Sequence, residues 1–281
     1  MADGAYRWQG CAPEPDAARV EAIAAACDDA GAPTFAEPAR AAAVERIEAA
    51  LAAARSGDLA GAEAQLARAR SVLGGLDPDA LEPRRGLAGL FDSRGRRLKA
   101  FRESFRQASA ALSEAAADLA GRVEEAAGRS GALDAVWTGV RDAMVELDAH
   151  LLAAARRLSG HAPAEDAPPP PLEARKAALD ACRAAALGAL PLIRAAQNAD
   201  ARAVGALRAC GDGVAAWRQD WTEALGLAGR RPKNVRPDRE RLRRLRDDLL
   251  ARLDRTLAEL AASAARRAQV ETRLAGLRAP L

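Results

Sequence analysis

Aromatic residues make up only 3% of this 281-residue chain. β-branched residues are thin as well, which leaves little from which to build strands. Histidine is nearly absent: His150 and His161 are the only two. The cysteines, Cys11, Cys27, Cys182 and Cys210, include no C-x-x-C pair and lack the density of a disulfide scaffold, so they read as free thiols of a reducing, cytoplasmic setting. Gly10-Cys11 superficially looks like a lipoprotein cleavage point, but the preceding AYRWQ has no apolar run. No stretch approaches the length of a membrane span without a charge. There is no GxxxxGK[ST], and no GxGxxG after a strand, so phosphate-cradling nucleotide folds are excluded.

Lysine is almost replaced by arginine; the only lysines are Lys99, Lys176 and Lys233. Acid and base nearly balance, with 42 basic and 39 acidic side chains and a net charge of +3. That balance excludes a general, sequence-specific or coating nucleic-acid role and confines any basic site to a local cluster.

What is abundant is alanine, followed by leucine, glutamate and arginine, a composition that favours helix nearly everywhere. The chain is long enough to bury a sizeable core. From Phe91 every seventh residue is apolar: Phe91, Leu98, Phe105, Leu112, Leu119, Ala126, Leu133, Val140, Leu147 and Ala154. A repeat sustained this far predicts one helix from Leu87 to Leu158 with a continuous seam. Gly128-Arg-Ser-Gly131 interrupts its composition but not its phase, so the helix is expected to run through, at most kinked. SGHAPAEDAPPPP, at 159–171, is a semi-rigid linker. A second long helix follows from Leu172 to about Leu227, with Pro191 expected to kink it, and a third from Asp238 to about Leu277.

Before the long helix, three short ones are expected: one after Pro15, one opening at Pro38, and one capped by Asp58. The predicted fold is all-α: an elongated antiparallel bundle of three long helices at 87–281, with a small N-terminal helical section at 1–80.

Two features break the pattern. Gln197, Asn198 and Asp200 sit just after Pro191, and Asp200 takes a seven-spaced position between Ile193 and Leu207. They read as a buried polar site that sets helix register, or as a turn that the proline rotates to solvent. The other feature is a pair of basic clusters. Arg94, Arg96, Arg97 and Lys99 extend from Arg84 and Arg85 to Arg102 and Arg106; Arg230, Arg231, Lys233 and Arg236 continue through Arg239, Arg241, Arg243, Arg244 and Arg246. Each opens a long helix, where the helix dipole already disfavours cations, which points to an anionic partner: an acidic protein surface or a phosphate-bearing one. The alternative is a solvated face partly neutralised by Asp92, Glu103, Asp238 and Glu240. If the helices run up, down and up, both clusters fall at one end.

No catalytic constellation is present. Glu146 and His150 are one turn apart, but a metal site needs further ligands, and a di-iron bundle would need E-x-x-H on each of two helices. No metal and no cofactor are expected.

The stretch FDSRGRRLKAFRESFRQASAALSEAAADL, followed by ALDAVWTGVRDAMVELDAHL and later by LPLIRAAQNADARAV, resembles the TelA-type toxic-anion (tellurite) resistance family. Phe101, Phe105 and Trp137 carry the likeness, with the polar turn at Gln197 and Asn198. The resemblance spans roughly Leu87 to the C-terminus. It implies a cytoplasmic bacterial helical protein of the stress response, non-enzymatic, acting through partner binding and open to homo-oligomerisation. A structural or adaptor rod at an envelope or membrane-associated assembly is the alternative.

Overall fold

A computed structural model describes residues 14–28, 30–55, 60–82, 93–160, 170–228 and 236–281. Among them there is no strand. The architecture is an all-α bundle of six helices: α1 Ala17–Ala26, α2 Glu37–Arg55, α3 Ala60–Gly74, α4 Arg94–Ser159, α5 Pro171–Ala224 and α6 Arg239–Arg278. No described helix is long and apolar enough to cross a membrane.

The ends of the helices follow local chemistry. Asp16 accepts from the Ala18 amide to cap α1 (3.3 Å), Ser93 Oγ accepts from the Arg96 amide at the start of α4 (3.3 Å), and Asp238 accepts from the Arg241 amide at the start of α6 (3.1 Å). Pro38 lies in the first turn of α2 and Pro171 opens α5, where a missing N–H costs nothing. Gly226, at φ 62°, closes α5: it turns left-handed so that the Leu227 amide reaches back to the Thr222 carbonyl at 2.8 Å. The stretch 83–92, where Leu87 was expected to open the long helix, lies outside the described residues.

α4 runs for 66 residues straight through Gly128-Arg-Ser-Gly131. α5 likewise continues through Pro191 without ending. The proline is exposed, while Leu190, Leu192 and Ile193 beside it are buried, and that burial offsets the lost helical hydrogen bond.

The chain forms two compact units, each drawing on all three long helices: Met1–Gly57 with Arg129–Asn198 and Arg266–Leu281, and Asp58–Gly128 with Ala199–Ala265. α1 and α2 fall in the first unit, α3 in the second.

In the first unit, α4 and α5 are antiparallel. Ser130 pairs with Gln197, Asp134 with Arg194 and Asp148 with Arg183, so numbers rise on one helix as they fall on the other. α2 is antiparallel to α6, with Arg55 on Glu271 (2.7 Å) and Glu48 on Arg278 (2.5 Å). α2 contributes one narrow stripe, Ala39, Ala43, Ile47, Ala50 and Ala54, at helical spacing. Its small side chains allow close approach to Leu133, Val140, Met144, Ile193 and Leu274. α1 covers α4 with Val20, which packs on Ala149 and Ala153.

In the second unit, α3 presents Ala62, Leu66, Ala69 and Leu73 to a core that includes Leu112, Leu207 and Leu253. Arg70 reaches Asp254 at 2.5 Å, tying α3 to α6. α4 and α5 again run antiparallel, with Arg102 at Leu225 and Ser113 at Arg218. Phe101, Phe105, Trp217 and Trp221 form one aromatic cluster between them, with ring centroids 5.0–5.9 Å apart.

Candidate binding surface

The Arg102 guanidinium of α4 donates twice to the Leu225 carbonyl at the end of α5, at 3.0 and 2.5 Å. It satisfies a carbonyl that the helix terminus would leave without a partner. The same contact fixes where the basic clusters lie. Because α5 turns back into α6, with Arg241 near Asp220 (3.4 Å), the starts of α4 and α6 occupy one end of the second unit.

The two clusters fare differently there. Arg94, Arg96 and Lys99 are exposed on the first turns of α4, and Arg97 is half-buried. Arg236 is exposed just before α6; Arg230, Arg231 and Lys233, like Arg84 and Arg85, lie outside the described residues. Further along α6 the cations are largely engaged. Arg239 pairs with Glu82, Arg243 with Asp79 and Glu240, and Arg246 donates to the Leu76 carbonyl (3.1 Å). The Asp79 hydrogen bond raises the Arg243 pKa further. Asp79 and Glu82 come from the turn after α3, a source that no spacing along the sequence identifies.

Of the neutralising carboxylates expected from the sequence, Glu240 pairs with Arg243 and Glu103 with Arg106 (3.3 Å), Asp238 is used as a cap, and Asp92 lies outside the described residues. Four exposed cations, Arg96, Lys99, Arg236 and Arg244, form no ion pair with a described residue.

The polar turn after Pro191 divides. Gln197 and Asp200 are buried, Asp200 at 2% exposure, so the turn is not rotated to solvent. Asn198, expected to be buried with them, is exposed: one residue along a helix is a rotation of about 100° away from the seam. Gln197 donates to the Ser130 carbonyl (3.1 Å) and accepts from Arg194 (2.6 Å), which also reaches Asp134 (2.5 Å). Hydrogen bonds from Gln197 and then Arg194 lower the Asp134 pKa. The Arg194 guanidinium lies 4.4 Å from the Trp137 ring centre and Arg141 at 5.6 Å, so the indole carries cations on a polar strap. Asp200 belongs to the second unit.

Several buried polar groups were not singled out in the sequence. Asp148 and Arg183 form a buried ion pair, and Arg267 is buried with its guanidinium on the last carbonyls of α2. A signal existed: each interrupts an apolar stripe at helical spacing, Asp148 between Met144 and Leu151, Arg267 between Leu260 and Leu274.

His150 is half-buried, because Phe35 packs edge-on at 5.5 Å and Glu146 lies 3.2 Å from Nε2. Burial lowers its pKa, with Glu146 opposing. Among the described residues no group of three His, Cys, Asp or Glu could hold a metal ion. His161 and Cys11 lie outside them. Cys27, Cys182 and Cys210 are buried and form no disulfide with one another, and burial pushes the Cys182 and Cys210 thiols up in pKa, away from nucleophilic use.

No known protein family matches the chain, and neither do curated proteins or solved structures.

Proposed function

We propose that the protein is a non-enzymatic helical binding protein of bacterial stress resistance, of the toxic-anion (tellurite) tolerance kind, that engages an anionic partner surface. The observation that carries the binding part is the cluster of exposed Arg96, Lys99, Arg236 and Arg244 where α4 and α6 begin. Each helix start adds roughly half a positive charge of its own, and like charges gathered there repel until an anion arrives. The likeness of Phe101, Phe105 and Trp137 to the toxic-anion resistance pattern supplies the physiological setting.

The binding part is tested by titrating full-length protein with a glutamate-rich peptide and with phosphatidylglycerol vesicles at rising salt. Saturable binding that weakens steeply with salt, and is lost when Arg96, Lys99, Arg236 and Arg244 are all changed to Glu, supports it. Binding by neither probe rejects it. The setting is tested separately: a deletion strain with unchanged tellurite sensitivity removes the resistance role and leaves the binding result standing.

A further inference from the structure

A groove of about 460 Å³ opens between α4 and α5 in the second unit. Phe105 and Leu227 supply its apolar surface, and Arg106, Arg218, Ser109 and Ser113 its polar one. Among the described residues no carboxylate lines it. Arg218 crosses from α5 to donate to Ser113 Oγ on α4 at 3.2 Å, which sets a guanidinium across the groove. Arg106 lines it from α4 and among the described residues pairs only with the exposed Glu103 at 3.3 Å, a weak contact in water. The geometry points to a small-ligand site in this groove that takes a phosphomonoester carrying a compact apolar or aromatic substituent.

The donor set decides the chemistry. Two guanidinium groups, Arg106 of α4 and Arg218 of α5, line the groove from facing helices together with the Ser109 hydroxyl. A carboxylate, with two oxygens in one plane, matches a single guanidinium fork; a tetrahedral phosphate dianion offers oxygens to both walls at once. The groove lies within the volume range of small-molecule sites, roughly 300–1,000 Å³. Partly exposed Leu227 gives the substituent an apolar side chain to pack against, with the buried Phe105 behind it in the aromatic cluster. The site is distinct from the exposed cations at the helix starts and does not depend on their role.

Calorimetry on the full-length protein in about 150 mM salt, where the Debye length is near 8 Å, isolates local contacts from the distant charges. Phenyl phosphate, inorganic phosphate and benzoate are the probes. The site predicts saturable one-to-one binding of phenyl phosphate, about tenfold weaker binding of benzoate, and inorganic phosphate in between. Arg106→Gln and Arg218→Gln should each weaken phenyl phosphate about tenfold, while Glu103→Gln, which releases Arg106, should tighten it. All three residues are exposed, so the variants keep the fold, and unchanged helical circular dichroism verifies it.

Changing Arg96, Lys99, Arg236 and Arg244 to Gln should leave phenyl phosphate affinity within about twofold, which separates this site from the partner surface. Failure of phenyl phosphate to saturate in the millimolar range overturns the site. So does affinity indifferent to both arginine substitutions. Benzoate binding as tightly as phenyl phosphate overturns the phosphate assignment.

Discussion

Arg183 of α5 and Asp148 of α4 meet inside the first unit with both side chains buried, Nε on Oδ1 and Nη2 3.4 Å from Oδ2. Burial pushes the Asp148 carboxyl above its ordinary pKa while Arg183 pulls it back, so the two charges are worth having only together. Asp148→Ala should cost about 3–5 kcal/mol in urea unfolding by removing the carboxylate that faces the buried Arg183 charge. Asp148→Leu combined with Arg183→Met should recover most of that loss. A double variant no more stable than the single one would show that the pair is stabilising in its own right.

Arg267 of α6 stands 3.1 Å from the Ala53 carbonyl and 2.9 Å from that of Ala54, both in the last turn of α2. Its removal takes a charged donor from two carbonyls at a helix end, so Arg267→Met should cost about 2–4 kcal/mol by the same assay. Arg267→Lys should not restore it, because an ammonium lacks the fork that reaches two carbonyls together.

Glu37 opens α2 between Arg40 and Arg175, whose hydrogen bonds hold its carboxyl down to about 2 from an ordinary 4.5. A folded-state pKa below the unfolded one stabilises above the unfolded value and is lost as pH falls. The thermal midpoint should therefore drop between pH 4.5 and about 2, and Glu37→Gln should flatten that part of the profile. Its solvent exposure keeps the effect small. A wild-type and Gln profile of the same shape would contradict it.

Trp221 is fully buried among Phe101, Phe105 and Trp217, and the indole N–H groups of both tryptophans find no acceptor among the described residues. Trp221→Ala should cost about 3–5 kcal/mol through the cavity it leaves. Trp221→Phe should cost far less, since it removes an unsatisfied donor along with the lost area. Both variants lack the N–H, so equal losses would show that lost ring area and its cavity do not set the cost.

Cys27, Cys182 and Cys210 should resist iodoacetamide in native protein and react at full rate in denaturant. Replacing all four cysteines by Ser or Ala should leave any resistance phenotype intact. Loss of phenotype in a folded variant would revive a redox enzyme.

Local pattern foretold most of the helices. Leu98, Phe105, Leu112, Leu119, Leu133, Val140 and Leu147 keep one phase, and α4 follows it across two glycines because helix phase depends only on neighbours within a turn or two. Pro38, Pro171 and Asp238 mark helix starts for equally local reasons. The same periodicity told Gln197 and Asp200 from their surroundings but, read residue by residue, did not separate Asn198 from them.

Sequence by itself determined an all-α chain with three long helices, and the seam along each. Only the tertiary structure decided that α2 completes one unit and α3 the other, since Ala-rich stripes such as Ala43-Ile47-Ala50 and Ala62-Leu66-Ala69 are interchangeable until packed. It also decided which cations stay bare. Arg239 and Arg243 are neutralised by Glu82 and Asp79, more than a hundred and fifty residues away along the chain, while Arg96 and Lys99 pair with no described carboxylate. A charge's partner is set by which helix lies beside it, and that depends on the burial of the whole core rather than on any turn of helix.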